Sequence, residues 1–132
     1  MDQHIAEALQ RGGVVDITTI GRTTGLPRRI EIFFHHFDGE YFITGRPGRR
    51  RRDWLANMVA NPDFTLHLKR GVKADLPATA VEITDPEARA RILFRILTES
   101  WDSTPEQART DLPSWVESSP LIQFSLARST PV

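Results

Sequence analysis

The apolar positions of this chain change period several times, and each change marks an element. Ile5 and Leu9 stand four apart, on one face of a helix over residues 2–11, with Asp2 placed to cap its start and Gly12-Gly13 to end it. Val14 to Ile20 is a β-branched run that predicts a strand. It breaks at Gly21-Arg22-Thr23-Thr24-Gly25-Leu26-Pro27, where two glycines and a proline dictate a loop. Arg29 to Phe37 alternates, with Ile30, Ile32 and Phe34 on one side, and Asp38-Gly39 supplies a two-residue hairpin turn into Glu40–Thr44. The stretch from Gly45 to Arg52, with Pro47 and two glycines, reads as a loop. Asp53 then stands where a cap would start a helix carrying Trp54, Leu55, Met58 and Val59, stopped by Asn61-Pro62.

Phe64, Leu66 and Leu68 alternate with Thr65, His67 and Lys69, which predicts a half-buried strand with His67 on its solvent side. After the Arg70-Gly71 turn, Val72 to Thr84 is a less regular strand region that Pro77 is expected to interrupt. Asp85-Pro86-Glu87 combines a cap, a proline at the first helical position and an acid in the first turn. The helix that follows has an apolar stripe of Ile92, Leu93, Ile96 and Leu97, with Arg89, Arg91 and Arg95 largely on the other side. Thr104-Pro105-Glu106-Gln107 and Ser114-Trp115-Val116-Glu117 each match capping-box spacing, so one or two short helices precede a last strand, Leu121–Ala127. Hairpin-linked strands dominate the middle of the chain. The pattern is that of an α+β protein, an antiparallel barrel of about six strands with peripheral helices, rather than a doubly wound sheet.

At 132 residues the chain fits a single domain over residues 1–132, and its 39% hydrophobic and 26% charged residues are ordinary for a globular protein. No apolar run is long enough for a transmembrane helix, and the start Met1-Asp2-Gln3-His4 lacks the layout of a secretory signal, so a cytoplasmic location is expected. Cysteine is absent, which excludes disulfides, thiolate nucleophiles and cysteine-ligated metals. His35 and His36 are neighbours on a strand and face opposite ways, so no metal site is expected from them. There is no Gly-x-Ser-x-Gly elbow for a serine hydrolase. The chemistry left is acid–base or borrowed from a cofactor, and no catalytic side chain is assigned.

The formal net charge of zero hides a segregation. Residues 22–52 hold eight Arg against Glu31, Asp38 and Glu40, a balance of +5, whereas residues 75–117 hold nine acids against four Arg, a balance of −5. A local positive field points to an anionic partner, and two solvated faces would give the same count. Five of the seven residues from Arg46 to Arg52 are Arg, in a loop that runs into a helix start. Guanidinium forks and free N–H groups at that start both suit phosphate or carboxylate. The loop Gly21–Arg29 adds two hydroxyls and three guanidiniums, enough to seat a phosphate, although a Gly-x-x-x-Gly loop is also an ordinary turn. Trp101, Trp115 and Phe94 serve equally as lining of an apolar pocket or as core.

The order of these motifs resembles the deazaflavin-dependent nitroreductase family, also described as deazaflavin-dependent quinone reductases. The resemblance rests on Ile17-Thr18-Thr19-Ile20-Gly21-Arg22-Thr23-Thr24-Gly25-Leu26-Pro27-Arg28, on Asp38-Gly39-Glu40-Tyr41 and on Trp54-Leu55-Ala56-Asn57-Met58-Val59-Ala60-Asn61-Pro62, and it runs over most of the chain. It implies a split β-barrel of the FMN-binding, pyridoxamine phosphate oxidase-like kind. It also implies coenzyme F(420), a deazaflavin with a phosphate and an oligoglutamate tail, which passes a hydride to a small-molecule quinone, enone or nitro acceptor. By the resemblance, Arg22 and Arg28 fall at the phosphate, while Thr44, Gly45, Arg46, Gly48 and Arg49, with Trp54 and Asn57, fall along the rest of the cofactor, and Thr24 is expected among the cofactor-binding residues. Thr23 stands where relatives often carry a second basic residue. Gly45-Arg46-Pro47-Gly48 replaces the usual Ser-Lys-Gly-Gly type, and Tyr41 is the sole tyrosine where some relatives place tyrosines over the substrate.

Two other readings stay open on the sequence. The barrel would hold FMN, whose single phosphate needs fewer arginines than the eight present. It would instead carry an apolar ligand without catalysis. Nucleic-acid binding through Arg49–Arg52 is not expected, because no aromatic residues interleave with the arginines. Split barrels often pair, so a homodimer is compatible with the fold, with no segment marking its interface.

Overall fold

The computed structural model describes residues 2–48 and 51–127. Six strands, β1 (Gly13–Ile20), β2 (Pro27–Phe37), β3 (Glu40–Thr44), β4 (Asp63–Leu68), β5 (Ala74–Glu82) and β6 (Leu121–Leu126), close into an antiparallel barrel in the order β1-β2-β3-β6-β5-β4. Closure comes from β1 pairing on both edges: Ile17 lies opposite Ile30 of β2 and opposite Leu66 of β4. Directly opposed residues share a face, so alternation in every strand sends one set of side chains to a common interior. Val15, Ile17, Phe34, Ile43, Leu66, Ile122 and Phe124 are each at most 3% exposed there. Each such burial is worth roughly 1.5–3 kcal/mol, and a one-residue slip of any strand would turn its share outward. The β2–β3 register is fixed by Asp38 and Gly39, whose φ values of 52° and 81° make the paired left-handed turn a two-residue hairpin requires.

Helices α1 (Gln3–Arg11) and α2 (Asp53–Ala60) add Ala8 and Leu9, and Trp54, Leu55 and Met58, to this core, near the first and last residues of β1 respectively. The Asp2 carboxylate caps α1, accepting from the N–H of His4 at 2.7 Å and of Ile5 at 3.3 Å. A second core lies outside the barrel wall. There Phe42 of β3 and Leu121 of β6 point outward and are covered by Leu93 of α3 (Pro86–Arg95), Ile96 and Leu97 of a π-helical turn (Ile96–Ser100), and Ala108 and Trp115 of α4 (Pro105–Ser118). No helix among the described residues is long and apolar enough to cross a membrane.

Five local expectations change. Pro77 does not interrupt β5: its carbonyl accepts from Ala127 N–H at 3.0 Å on the β6 side, and the β5–β6 ladder starts only at Ala78. The donor it lacks therefore falls beyond the end of that ladder, since N–H and C=O of a strand residue point to the same neighbour. Ser114 starts no helix. It lies inside α4 after Pro113, its hydroxyl donating to the Asp111 carbonyl at 2.9 Å. Asp53 is not the cap of α2: Arg52 holds that position without a side-chain capping bond, and Val59 is 53% exposed while Asn57 takes its place in the buried face.

His67 is only 8% exposed, although it points to the outer wall. Thr18 Oγ1 lies 2.6 Å from its Nε2 and Asp75 Oδ1 lies 2.7 Å from its Nδ1, so a polar side chain is buried with both nitrogens partnered. That hydrogen bond holds the Asp75 carboxyl below its usual range. Arg89 is the largest departure: 9% exposed, it donates to the carbonyls of Ile83 (2.9 Å), Trp115 (3.3 Å), Val116 (2.9 Å) and Ser119 (2.5 Å). The carbonyls at the end of a helix have no intrahelical donor, and this guanidinium supplies one for the end of α4.

Candidate functional site

The β1–β2 loop and the first turn and a half of α2 face each other at one end of β1 and enclose a cleft of about 450 Å³. The loop is shaped from within. Gly21 N–H donates to Leu26 O and Gly25 N–H to Gly21 O, both at 2.8 Å. A β-carbon on Gly21 would lie 2.5 Å from Thr24 Oγ1, so a larger residue there would push the Thr24 hydroxyl from its place, and Gly25 has φ of 71°. Thr24 Oγ1 accepts from Leu26 N–H at 3.2 Å, which sets its hydroxyl on the cleft wall.

Two guanidiniums line the cleft. Arg28, at the start of β2, makes no hydrogen bond or ion pair with another described residue and is exposed. Arg22 is held by α2: its backbone N–H and Nη1 donate to Asn57 Oδ1 at 3.1 and 3.3 Å, and Nη2 lies 3.7 Å from Asp53. Asn57 is 3% exposed, and its Nδ2 donates to Thr19 Oγ1 at 3.1 Å. Trp54, 9% exposed, and Ile30, 38% exposed, give the cleft its apolar surface. One carboxylate, Asp53, and no histidine line it.

The residues expected along a cofactor thus divide. Arg22, Thr24, Arg28, Trp54 and Asn57 come together in this cleft, whereas Thr44, Gly45, Arg46 and Gly48 do not line it. Arg49 lies outside the described residues. Thr44 is 6% exposed, its hydroxyl donating to Pro120 O at 2.5 Å. The loop after it folds around the guanidinium of Arg52, which donates from Nη2 to Arg46 O at 2.5 Å. A β-carbon on Gly48 would lie 3.1 Å from Arg52 Nη1, so glycine there eases this close wrap, whereas one on Gly45 would meet Nη2 at an ordinary 3.4 Å. Gly48, Arg51 and Arg52 border a second cavity of about 420 Å³ on the other side of α2, shared with Leu55, Glu82 and Arg89.

Sequence reasoning did not assign the organising residues: Thr19 and Asp53 meet the side chains of Asn57 and Arg22, Arg52 holds the Arg46 carbonyl, and Ile30 lines the cleft. The signal for Thr19 and Ile30 was their place on the inward face of alternating strands. Trp115 is core, 8% exposed, with Trp101 edge-on at 4.8 Å, and neither lines either cavity. His35 and His36 do face opposite ways. His35 lies 3.0 Å from Ser100 Oγ with burial pushing its pKa down to about 4, while His36 Nδ1 donates to Gln10 O at 3.2 Å.

A closed six-stranded antiparallel barrel with a basic, glycine-shaped cleft at one end defines a small-ligand enzyme scaffold of the split-barrel class. The family model described as F420H(2)-dependent quinone reductase matches residues 1–119, and the chain belongs to that family. It is therefore an oxidoreductase that works with the deazaflavin coenzyme F(420). Solved structures agree on the fold. A conserved hypothetical protein from Mycobacterium tuberculosis superposes with a TM-score of 0.77 at 16% identity, over 97% of this chain and 82% of that one. A protein described as an F(420) reductase gives 0.67 at 15% identity, over 97% and 96%. HutZ, described as the haem storage protein of Vibrio cholerae, gives 0.65 at 15% identity, over 95% and 89%. At such identities these likenesses speak for the barrel alone.

Proposed function

We propose that the cleft between the β1–β2 loop and α2 seats coenzyme F(420), and that the enzyme reduces a quinone, an enone or a nitro compound. The observation that carries the reading is Arg28, an exposed guanidinium with no partner among the described residues, beside a second guanidinium already oriented by α2. Arg22 and Arg28 would take the coenzyme's phosphate through charge-assisted hydrogen bonds, with the hydroxyl of Thr24 beside them. Trp54 and Ile30 offer the flat apolar surface that a ring system needs. A cleft of about 450 Å³ lies within the range of small-ligand sites. When bound in its reduced form, the coenzyme supplies a hydride; the chain supplies orientation and a wall with no nucleophile.

Thr44, Gly45, Arg46 and Gly48 enter this reading differently. Their loop is a structural neighbour of the cleft through Arg52, the residue before α2, and shapes the helix start that bears Trp54. Fluorescence titration with oxidised F(420), and in parallel with FMN, tests the assignment. Selective deazaflavin binding that weakens in Arg28→Ala is the expected result. Unchanged affinity in Arg22→Ala and Arg28→Ala would sink it, and binding of FMN alone would make the cleft a flavin site. Turnover with a naphthoquinone, a cyclic enone and a nitroaromatic then ranks the acceptors.

A further inference from the structure

We infer that Asn57 is a positioning residue that orients Arg22 toward the ligand and is itself anchored to β1 through Thr19; this rests on the reading of the cleft as the coenzyme's seat. Asn57 is 3% exposed, and both the oxygen and the nitrogen of its carboxamide have partners inside the chain. Oδ1 takes the backbone N–H and the guanidinium of Arg22 together, at 3.1 and 3.3 Å, which are the two acceptor directions a carbonyl oxygen offers. Nδ2 donates to Thr19 Oγ1 at 3.1 Å, and Thr19, 1% exposed, lies directly opposite Arg28 in the β1–β2 ladder. One buried amide on α2 therefore fixes Arg22 by direct contact and is itself held to β1 by Thr19.

The choice of an amide follows from the charges present. An aspartate at this position would accept from Arg22 equally well and would neutralise the guanidinium that an anion needs. A neutral acceptor orients the fork and leaves its charge for the ligand. Asp53, one helical turn earlier and 3.7 Å from Arg22 Nη2, lies at the exposed rim with a side chain 74% accessible, where water screens it. The geometry thus separates orientation, done by a buried neutral group, from charge, kept at the cleft surface.

A double-mutant cycle on the affinity for oxidised F(420), read by fluorescence on the whole protein, tests this. Asn57→Ala is expected to raise Kd about tenfold, the equivalent of about 1.4 kcal/mol. Arg22→Ala is expected to raise it at least as much, and the double variant to bind within about twofold of Arg22→Ala alone, because the two act as one unit. Effects that multiply in the double variant overturn the inference, since a residue acting on the ligand directly or through general loosening of the fold gives independent losses. If Asn57→Ala does not fold, Thr19→Val removes one partner of the amide at nearly constant shape. It should raise Kd about threefold in the wild-type background and not at all with Arg22→Ala. If instead the wild-type protein binds and neither Arg22→Ala nor Arg28→Ala changes Kd, the cleft is not the seat and the inference falls with it.

Discussion

The two basic regions flanking α2 are built from the same side chain and have opposite character. Around the second cavity every described guanidinium has a partner in the chain: Arg51 pairs with Glu82, Arg52 holds the Arg46 carbonyl, and Arg89 holds four carbonyls. Across the helix, Arg22 is oriented by a neutral amide and Arg28 has no described partner. A guanidinium with its donors already used inside the chain is scaffolding, whereas one held or left at a surface keeps donors free for another molecule. Charge counting treats the two alike, and only the partner list separates them.

Removing Arg89 should have the largest effect on that contrast. Arg89→Ala takes this donor from the Ile83, Val116 and Ser119 carbonyls, Trp115 O keeping the Ser119 N–H at 3.0 Å, and is expected to cost about 4 kcal/mol in a urea melt, while F(420) affinity per folded molecule stays unchanged. A loss of affinity without loss of stability would mean that the second cavity, not the cleft, is the binding region.

The next effect concerns a buried group of another kind. Burial holds the pKa of His35 near 4 against an ordinary value of 6.5. Between those values the unfolded chain binds a proton that the native state refuses. The stability is therefore fully present above pH 6.5, is lost as the pH falls toward 4, and has no further dependence on this group below that, a span of about 3 kcal/mol. Urea midpoints at pH 7 and pH 4.5 should differ accordingly, and His35→Phe should shrink the difference. An unaltered difference in that variant would place the titration elsewhere.

Arg28→Ala is expected to be the mirror image of Arg89→Ala. Losing one charge-assisted contact should weaken F(420) binding by about 2 kcal/mol, roughly thirtyfold, with the melting temperature unmoved because no described residue depends on this side chain. The smallest effect is that of Arg51→Ala. Its pair with Glu82 is half exposed, with side-chain accessibilities of 51% and 28%, so stability should change by less than about 1 kcal/mol and coenzyme affinity should not follow. If coenzyme affinity falls as far as in Arg28→Ala, the line between the two regions drawn above is in the wrong place.

The elements were legible because they rest on local rules. The Asp38-Gly39 turn, the strand Glu40–Thr44 and the helix opened by Asp85-Pro86 occur as their residues predict, since turn chemistry and capping act over a few positions. The barrel was legible one step further, because alternating strands joined by hairpins have few other ways to bury their inner faces. The cleft was legible in its basic residues and in Trp54 and Asn57, through motifs that keep their order along the chain.

What the sequence could not determine was which polar side chains would be taken out of solvent. Periodicity puts His67 and Arg89 on faces away from the apolar stripes, yet they and Asn57 are buried by partners 6 to 49 positions away in the chain. The sequence by itself determined where strands, turns and helix starts fall, and how much positive charge gathers between residues 22 and 52. Tertiary structure alone decided which of those charges line the cleft and which are used inside the chain. Local geometry needs only neighbours in sequence, whereas the cost of burying a polar group is met by whichever donors and acceptors the closed barrel brings within about 3 Å of it.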